Sequence, residues 1–185
     1  MSELTFYYTT PTDPKAKPLI DDLIFEYDSR YGDFFEREGA VVELNRYPPS
    51  DFAPPHGNFV LLIRDGETIG GGAFKRYDES TAEFKRIWTR RDLRRQGLAR
   101  KVVIELEAQA ARQGYERVYL TTGCRQPEAV ALYLGYGYTP QFDVNGDLEE
   151  IKKLPFIKQL NDAVLPIESG IIGRTTAAPS THQAA

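Results

Sequence analysis

The run Arg94-Arg95-Gln96-Gly97-Leu98-Ala99-Arg100 has the residue types to hold a phosphate-bearing ligand. It falls between a segment patterned as a strand and one patterned as an amphipathic helix. The first turn of a helix carries backbone N–H groups without internal partners, and the dipole there favours anions. Gly97 would let the backbone come close to a ligand, and Ala99 keeps the wall low. Main-chain donors in such a turn can hold a pyrophosphate, with Arg95, Arg100 and Lys101 adding local positive charge. A solvated basic turn ahead of an ordinary helix accounts for this heptapeptide equally well. It is not the nucleotide P-loop, because no Gly-Lys-Ser/Thr follows. Gly70-Gly71-Gly72 lies inside a strand with no helix after it, so it marks close packing on that strand rather than a dinucleotide fingerprint.

Other side chains could move protons or act as nucleophiles. Tyr133 lies two helical turns after Gln126, which would turn both the same way. A phenol titrates near 10, roughly where it can protonate a departing thiolate. By spacing alone, a ring packed on the sheet is the better account of Tyr133. Glu83 could accept a proton, or could simply pair with Lys75 or Lys85 on a solvent-facing strand. Cys124 has no histidine near it in sequence and reads as a small buried residue. His56 follows a Pro-Pro loop and reads as a surface histidine, and Trp88 as core or cleft wall.

Composition narrows the classes. The chain has 185 residues, a usual length for one domain, and is 41% apolar, enough for a real core. A net charge of −4 does not suit a protein that works on phosphate backbones, so no nucleic-acid partner is expected. One cysteine forbids an internal disulfide, and His56 and His182 are too far apart for a zinc spacing, so no metal is expected. Met1 to Thr10 lacks the pattern of a signal peptide. No apolar stretch approaches the roughly 18 residues of a membrane span. A cytoplasmic protein with no membrane partner is the expectation.

The elements that must position these residues follow from periodicity. Leu4 to Thr9 reads as a strand, and Leu19, Leu23, Ile24 and Tyr27 as the stripe of a helix ending near Gly32. A short helix is expected near Phe34 to Glu38, and prolines at 48–55 mark an irregular loop. Strands at 58–64, 68–76 and 81–89 form a meander, with Asp65-Gly66 as a hairpin turn. A helix from about Leu98 to Gln113 carries the stripe Leu98, Val102, Val103, Leu106 and Ala110, and Gly114 ends it. Glu116 to Thr122 is a strand, so 81–122 is a β-α-β crossover with parallel strands. A short helix starts at Pro127 and stops at Gly135, and 136–143 and parts of 150–167 could add two strands. Residues 1–168 read as one domain and 169–185 as an Ala/Thr-rich tail.

Three of these segments together resemble the GNAT N-acetyltransferase superfamily. Arg94, Gly97 and Ala99 occupy the places of its acetyl-CoA motif, Gln/Arg-x-x-Gly-x-Gly/Ala. The strand Ala82-Glu83-Phe84-Lys85-Arg86-Ile87-Trp88-Thr89 looks like the family's fourth strand. The stretch from Pro127 through Leu132-Tyr133 to Gly137-Tyr138 resembles its second motif, an Ala-rich helix with Leu-Tyr and then a Gly-aromatic pair. The match covers 58–140 in order and spacing. It implies an α/β (α+β) fold with a mixed, mostly antiparallel sheet of about six or seven strands and about four helices. In it, parallel strands 81–89 and 116–122 splay apart.

The same resemblance implies acetyl-CoA as co-substrate, its pantetheine arm lying in that gap against main-chain groups of Ile87, Trp88 and Thr89. Its pyrophosphate would sit on N–H groups of Arg95, Gln96, Gly97, Leu98, Ala99 and Arg100. Tyr133 becomes the acid near the cofactor sulfur, and Gln126, where many relatives carry asparagine, a cofactor contact. Glu83 stands where some relatives place a glutamate that takes the amine's proton through water. Others put the base on the next strand, where this chain has Thr121 or Thr122, and threonine cannot serve. The expected activity is direct transfer of acetyl to a primary amine of a small molecule, such as an amino acid or related metabolite. Lys85, Arg86 and Arg76 would suit its carboxylate, and surface placement of those cations is equally natural. A protein or peptide N-acetyltransferase and a non-catalytic acetyl-CoA-binding module are the alternatives. Dimerisation is common in the family, and the segment after Leu160 could exchange between subunits of a homodimer.

Overall fold

Asp65 and Gly66 reverse the chain between strands Asn58–Arg64 (β2) and Glu67–Arg76 (β3), with φ of 52° and 79°. A two-residue hairpin loop with both φ positive is the geometry that matches strand twist, and Asp-Gly is the pair that adopts it cheaply. Strand Thr81–Thr89 (β4) completes the meander. A computed structural model describes residues 2–32, 34, 39–160 and the backbone of 171–173. Strand Leu4–Tyr8 (β1) precedes the meander, and Arg117–Gly123 (β5), Thr139–Pro140 (β6), Lys153–Gln159 (β7) and Ile171–Gly173 (β8) follow it. One sheet results, in the order β6-β7-β5-β4-β3-β2-β1-β8. Pairing is antiparallel except for β4 with β5 and β1 with β8.

Helices cover both faces. Leu98–Arg112 (α3) links β4 to β5, and Pro127–Gly135 (α4) follows β5. Lys17–Tyr31 (α1) and Ala40–Asn45 (α2) lie on the opposite side, and Leu148–Ile151 (α5) precedes β7. Strand alternation sorts the core between these layers. Val60, Leu62, Phe74 and Phe84 pack with Val102, Val103 and Leu106 of α3. Phe59, Leu61, Ala73 and Trp88 pack with Leu19 of α1. Covering on both sides explains the unbroken apolar run in β2.

The glycine triplet makes this sandwich thin. A Cβ on Gly71 would meet Val60 O at 2.7 Å and Leu19 Cδ1 at 2.8 Å, and one on Gly72 would meet Leu106 Cδ1 at 2.8 Å. Both layers therefore approach β3 as closely as bare backbone allows. Gly71→Ala is expected to destabilise the fold by about 1–3 kcal/mol, because backbone and a buried leucine would both have to move. Urea denaturation of the variant checks this; an unchanged midpoint would mean α1 adjusts freely.

The expected fold class stands, with seven strands from β1 to β7 and five α-helices among the described residues. The helix expected at 34–38 falls mostly outside the described residues; the short helix seen is α2, further along. Within the expected tail, 171–173 lie beside β1, pairing Phe6 with Ile171 and Tyr8 with Gly173, and 174–185 lie outside the described residues. So does 161–170, the stretch proposed for subunit exchange.

Candidate active site

Strands β4 and β5 form a fork. They pair from Thr81–Arg117 to Phe84–Leu120 and no further. Beyond that point β4 stays on β3 up to Thr89, while β5 stays on β7 up to Gly123. The divergence has a local cause. Gly71 pairs with Trp88 and Ala73 with Lys85, so Gly72 alone faces both Arg86 and Ile87. This bulge puts Arg86 at φ 59°, bending β4 away from its parallel neighbour. Over 85–89 and 121–123, strand edges then face each other without a strand between them.

The turn into α3 closes the wide end of the fork. Arg95 has φ 63° and Gly97 φ 75°, which brings successive main-chain N–H groups round to the start of the helix. Gly97 is the N-cap, and no side chain caps the first turn. Those N–H groups suit an anion. A Cβ on Gly97 would meet nothing within 4 Å. Leu98 is buried and anchors the helix, while Arg95, Gln96 and Arg100 are exposed. The Arg100 guanidinium lies 4.8 Å over the Tyr136 ring. Thr89, at the end of β4, is buried, and its hydroxyl has no hydrogen-bond partner. An orphaned hydroxyl at the end of β4 and an uncapped helix start further along the chain fit a polar ligand lying along this edge. Arg94 points elsewhere: it forms an ion pair with Glu26 of α1.

Helix α4 supplies the next two expected residues, and the structure separates them. Gln126 is the N-cap, with φ −122° and ψ 65°. Its Oε1 accepts from Gly123 N at 3.0 Å, Thr122 Oγ1 at 3.2 Å and the Tyr31 hydroxyl at 3.4 Å. Gly123 is needed here, since a Cβ would fall 1.9 Å from that hydroxyl. Burial pushes the Tyr31 phenol up to about 12. Tyr133 instead packs in the α3-side core, its ring 5.6 Å from Phe156 and 5.5 Å from Tyr138. The helical spacing argument fails at Gln126 because that residue is not itself helical. The Tyr133 hydroxyl makes no hydrogen bond among the described residues, and desolvation alone raises its pKa well above that of a free phenol. It therefore keeps its proton at neutral pH.

On the other face, a cavity of about 220 Å³ lies between the fork and helices α1 and α2. Its walls include Glu26, Tyr27 and Arg30 of α1, Glu43 and Leu44 of α2, Tyr47, Lys85 and Arg86 of β4, and Thr121 and Gln126. Most of its charges are already matched. Glu26 pairs with Arg94, Arg30 with Glu128, Glu43 with Arg46 at 2.7 Å, and Lys85 with Glu83 at 3.3 Å. Glu83 is not on the wall. It sits between Lys75, at 3.4 Å, and Lys85, and both ammonium groups lie over the Tyr47 ring. The pairing that sequence offered as the alternative for Glu83 is thus present.

Among the remaining candidates, Trp88 is core, its Nε1 donating to Asp22 at 2.7 Å. Cys124 is half-buried, with its thiol pushed up chiefly by burial. His56 is exposed, and its carbonyl accepts from the Tyr115 hydroxyl. Arg76 pairs loosely with Glu79 away from the cavity. Sequence reasoning missed Glu26, Arg30, Tyr31 and Tyr47. The first three share α1 with the apolar stripe that was read, but only the fold shows which polar face meets the fork.

Comparison with known proteins agrees with this architecture. Residues 19–138 match the model of the acetyltransferase (GNAT) family. The chain is 32% identical over 125 residues to an uncharacterised N-acetyltransferase, YjgM, of Escherichia coli strain K12, covering 65% of this chain and 75% of that protein. A Klebsiella pneumoniae structure assigned as an acyl-CoA N-acyltransferase superposes with a TM-score of 0.64 at 25% identity, over 87% of this chain and 99% of that one. A GNAT family acetyltransferase from Elizabethkingia anophelis, solved with acetyl-CoA bound, superposes with a TM-score of 0.59 at 17% identity, over 85% and 98%.

Proposed function

The chain belongs to the acetyltransferase (GNAT) family, and from that footing we propose an acetyl-CoA-dependent enzyme that acetylates a primary amine of a small molecule, such as an amino acid or related metabolite. The observation that carries this reading is the fork, with an uncapped helix start at its wide end. The Elizabethkingia relative's bound acetyl-CoA supports the choice of co-substrate.

The bound co-substrate supplies an acetyl thioester, and the chain's own groups do the rest. In this reading, main-chain groups of Ile87, Trp88 and Thr89 hold the amides of the pantetheine arm. The N–H groups of 95–100 hold the pyrophosphate, with Gln126 at the end of β5. Transfer forms a C–N bond and breaks the C–S bond, so a proton must leave the amine and one must reach the sulfur. Glu83 takes the first through water, past Lys85 on the cavity wall. Tyr133, protonated and buried, gives the second. The N–H of Ile87 stabilises the carbonyl oxygen as it gains charge.

A small acceptor is supported by the cavity. At about 220 Å³ it is below the ~300–1,000 Å³ of sites for drug-sized ligands. Helices α1 and α2 roof it, whereas an extended peptide needs an open groove. The test is thiol release from acetyl-CoA with a panel of amines, peptides and proteins, with the amide product identified by mass spectrometry. Turnover of small amines is expected. Turnover of peptides alone would overturn the acceptor class, and binding of acetyl-CoA without any turnover would leave a non-catalytic module.

A further inference from the structure

Arg86 lines the cavity, yet among the described residues no carboxylate lies within the 4 Å of an ion pair. Its guanidinium donates to the carbonyl of Leu44 and stacks 4.6 Å over the Phe52 ring. Those contacts fix the plane of the group and leave most of its five donors unspent. Burial lowers the group's pKa, a sign that water is partly excluded around it. A half-buried cation that meets only a carbonyl and a ring among the described residues is costly, and proteins normally pair such charges. Two further costs concern this residue. Its φ of 59° is one that arginine rarely adopts, and it sits at the bulge that opens the fork. A bulge re-aims a side chain, and here it puts Lys85 and Arg86 consecutively on the cavity wall.

The carboxylates on that wall cannot serve as the missing partner. Glu26 is held by Arg94 and Glu43 by Arg46. Lys85 and Arg30 have carboxylates of their own. Among the described residues, Arg86 is the wall cation that has neither an ion pair nor another charged partner.

We infer that Arg86 receives a carboxylate of the acceptor, which is therefore a small amine of amino-acid type rather than a plain amine. This rests on the acetyltransferase reading of the same site. The fork of a guanidinium matches a carboxylate in two parallel hydrogen bonds, and the Phe52 ring beneath holds it flat for that purpose. Ile87, the next residue, belongs to the strand edge assigned to the acetyl group. One turn of chain thus holds both ends of the acceptor's reaction geometry.

The test uses matched acceptors: an amino acid, its amide and its decarboxylated amine, taken across apolar, aromatic and basic side chains. Wild type is expected to favour the free carboxylate in kcat/KM by at least about tenfold in the accepted series. Arg86→Met should bring that ratio close to one, and Arg86→Lys should keep part of it. Deaminated carboxylates of the same series should inhibit wild type competitively against the amine, and their amides should not. This last measurement needs no variant to fold. Equal rates with and without the carboxylate would overturn the inference and leave the acetyltransferase reading intact. So would an undiminished ratio in Arg86→Met. Binding of acetyl-CoA with no amine of any kind acetylated would overturn that reading, and this inference with it.

Discussion

Gly97→Glu is expected to abolish acetyl-CoA binding, weakening it by more than about a hundredfold, or roughly 2.7 kcal/mol. The argument has two parts that can be separated. Gly97 has φ 75°, so any side chain strains the turn by about 1–2 kcal/mol. The space around its Cβ is open, so the fold itself has room for the new group. The larger part of the effect is therefore a carboxylate placed where a pyrophosphate would lie, at the positive end of α3. Gly97→Ala carries the strain without the charge and should bind with an intermediate affinity. Calorimetric titration of the three proteins gives the order directly. Equal binding by wild type and Gly97→Glu would move the phosphates away from this turn, and no binding by wild type would end the cofactor assignment.

Tyr133→Phe is expected to lower kcat by about 10²–10⁴ while acetyl-CoA affinity stays within a few-fold, as loss of a general acid predicts. Stability should change little. The Tyr133 hydroxyl has no hydrogen-bond partner among the described residues, so its removal breaks no bond within the described fold. Phenylalanine keeps the ring contacts with Phe156 and Tyr138. A variant that is as stable as wild type or more so, yet slow, would distinguish catalytic use from packing. Full activity would remove the acid role and leave Tyr133 as core.

Much of the frame was readable because its signals are local. Asp65-Gly66 declares its own turn, Pro127 its own helix start, and the stripe of α3 its own buried face. The glycine triplet was readable as close packing, because bare backbone in a strand has few other uses. The site was only half legible. The bulge that opens the fork puts an arginine, not a glycine, at positive φ, so composition gives no warning of it. The Arg94–Glu26 pair joins the turn before α3 to α1 across 68 positions, and no local rule links them. Helix α2 has no side-chain cap and only six residues, too short for a periodic stripe. Strand β8 lies in a stretch whose Ala/Thr-rich surroundings read as a tail.

The fork also bears on how this protein avoids aggregation. Exposed strand edges are templates for foreign chains, and long flat ones at the rim of a sheet invite stacking of whole molecules. Here the outermost strands of the described sheet are only two and three residues long. Another stretch of unpaired main chain lies inside the sheet, between β4 and β5. With neighbouring strands about 4.8 Å apart, one guest strand fits between two hosts that stand about 10 Å apart. A second would have nowhere to pair. At the fork the sheet can thus offer backbone hydrogen bonds to a single slender ligand, in a gap too narrow for the sheet of another copy.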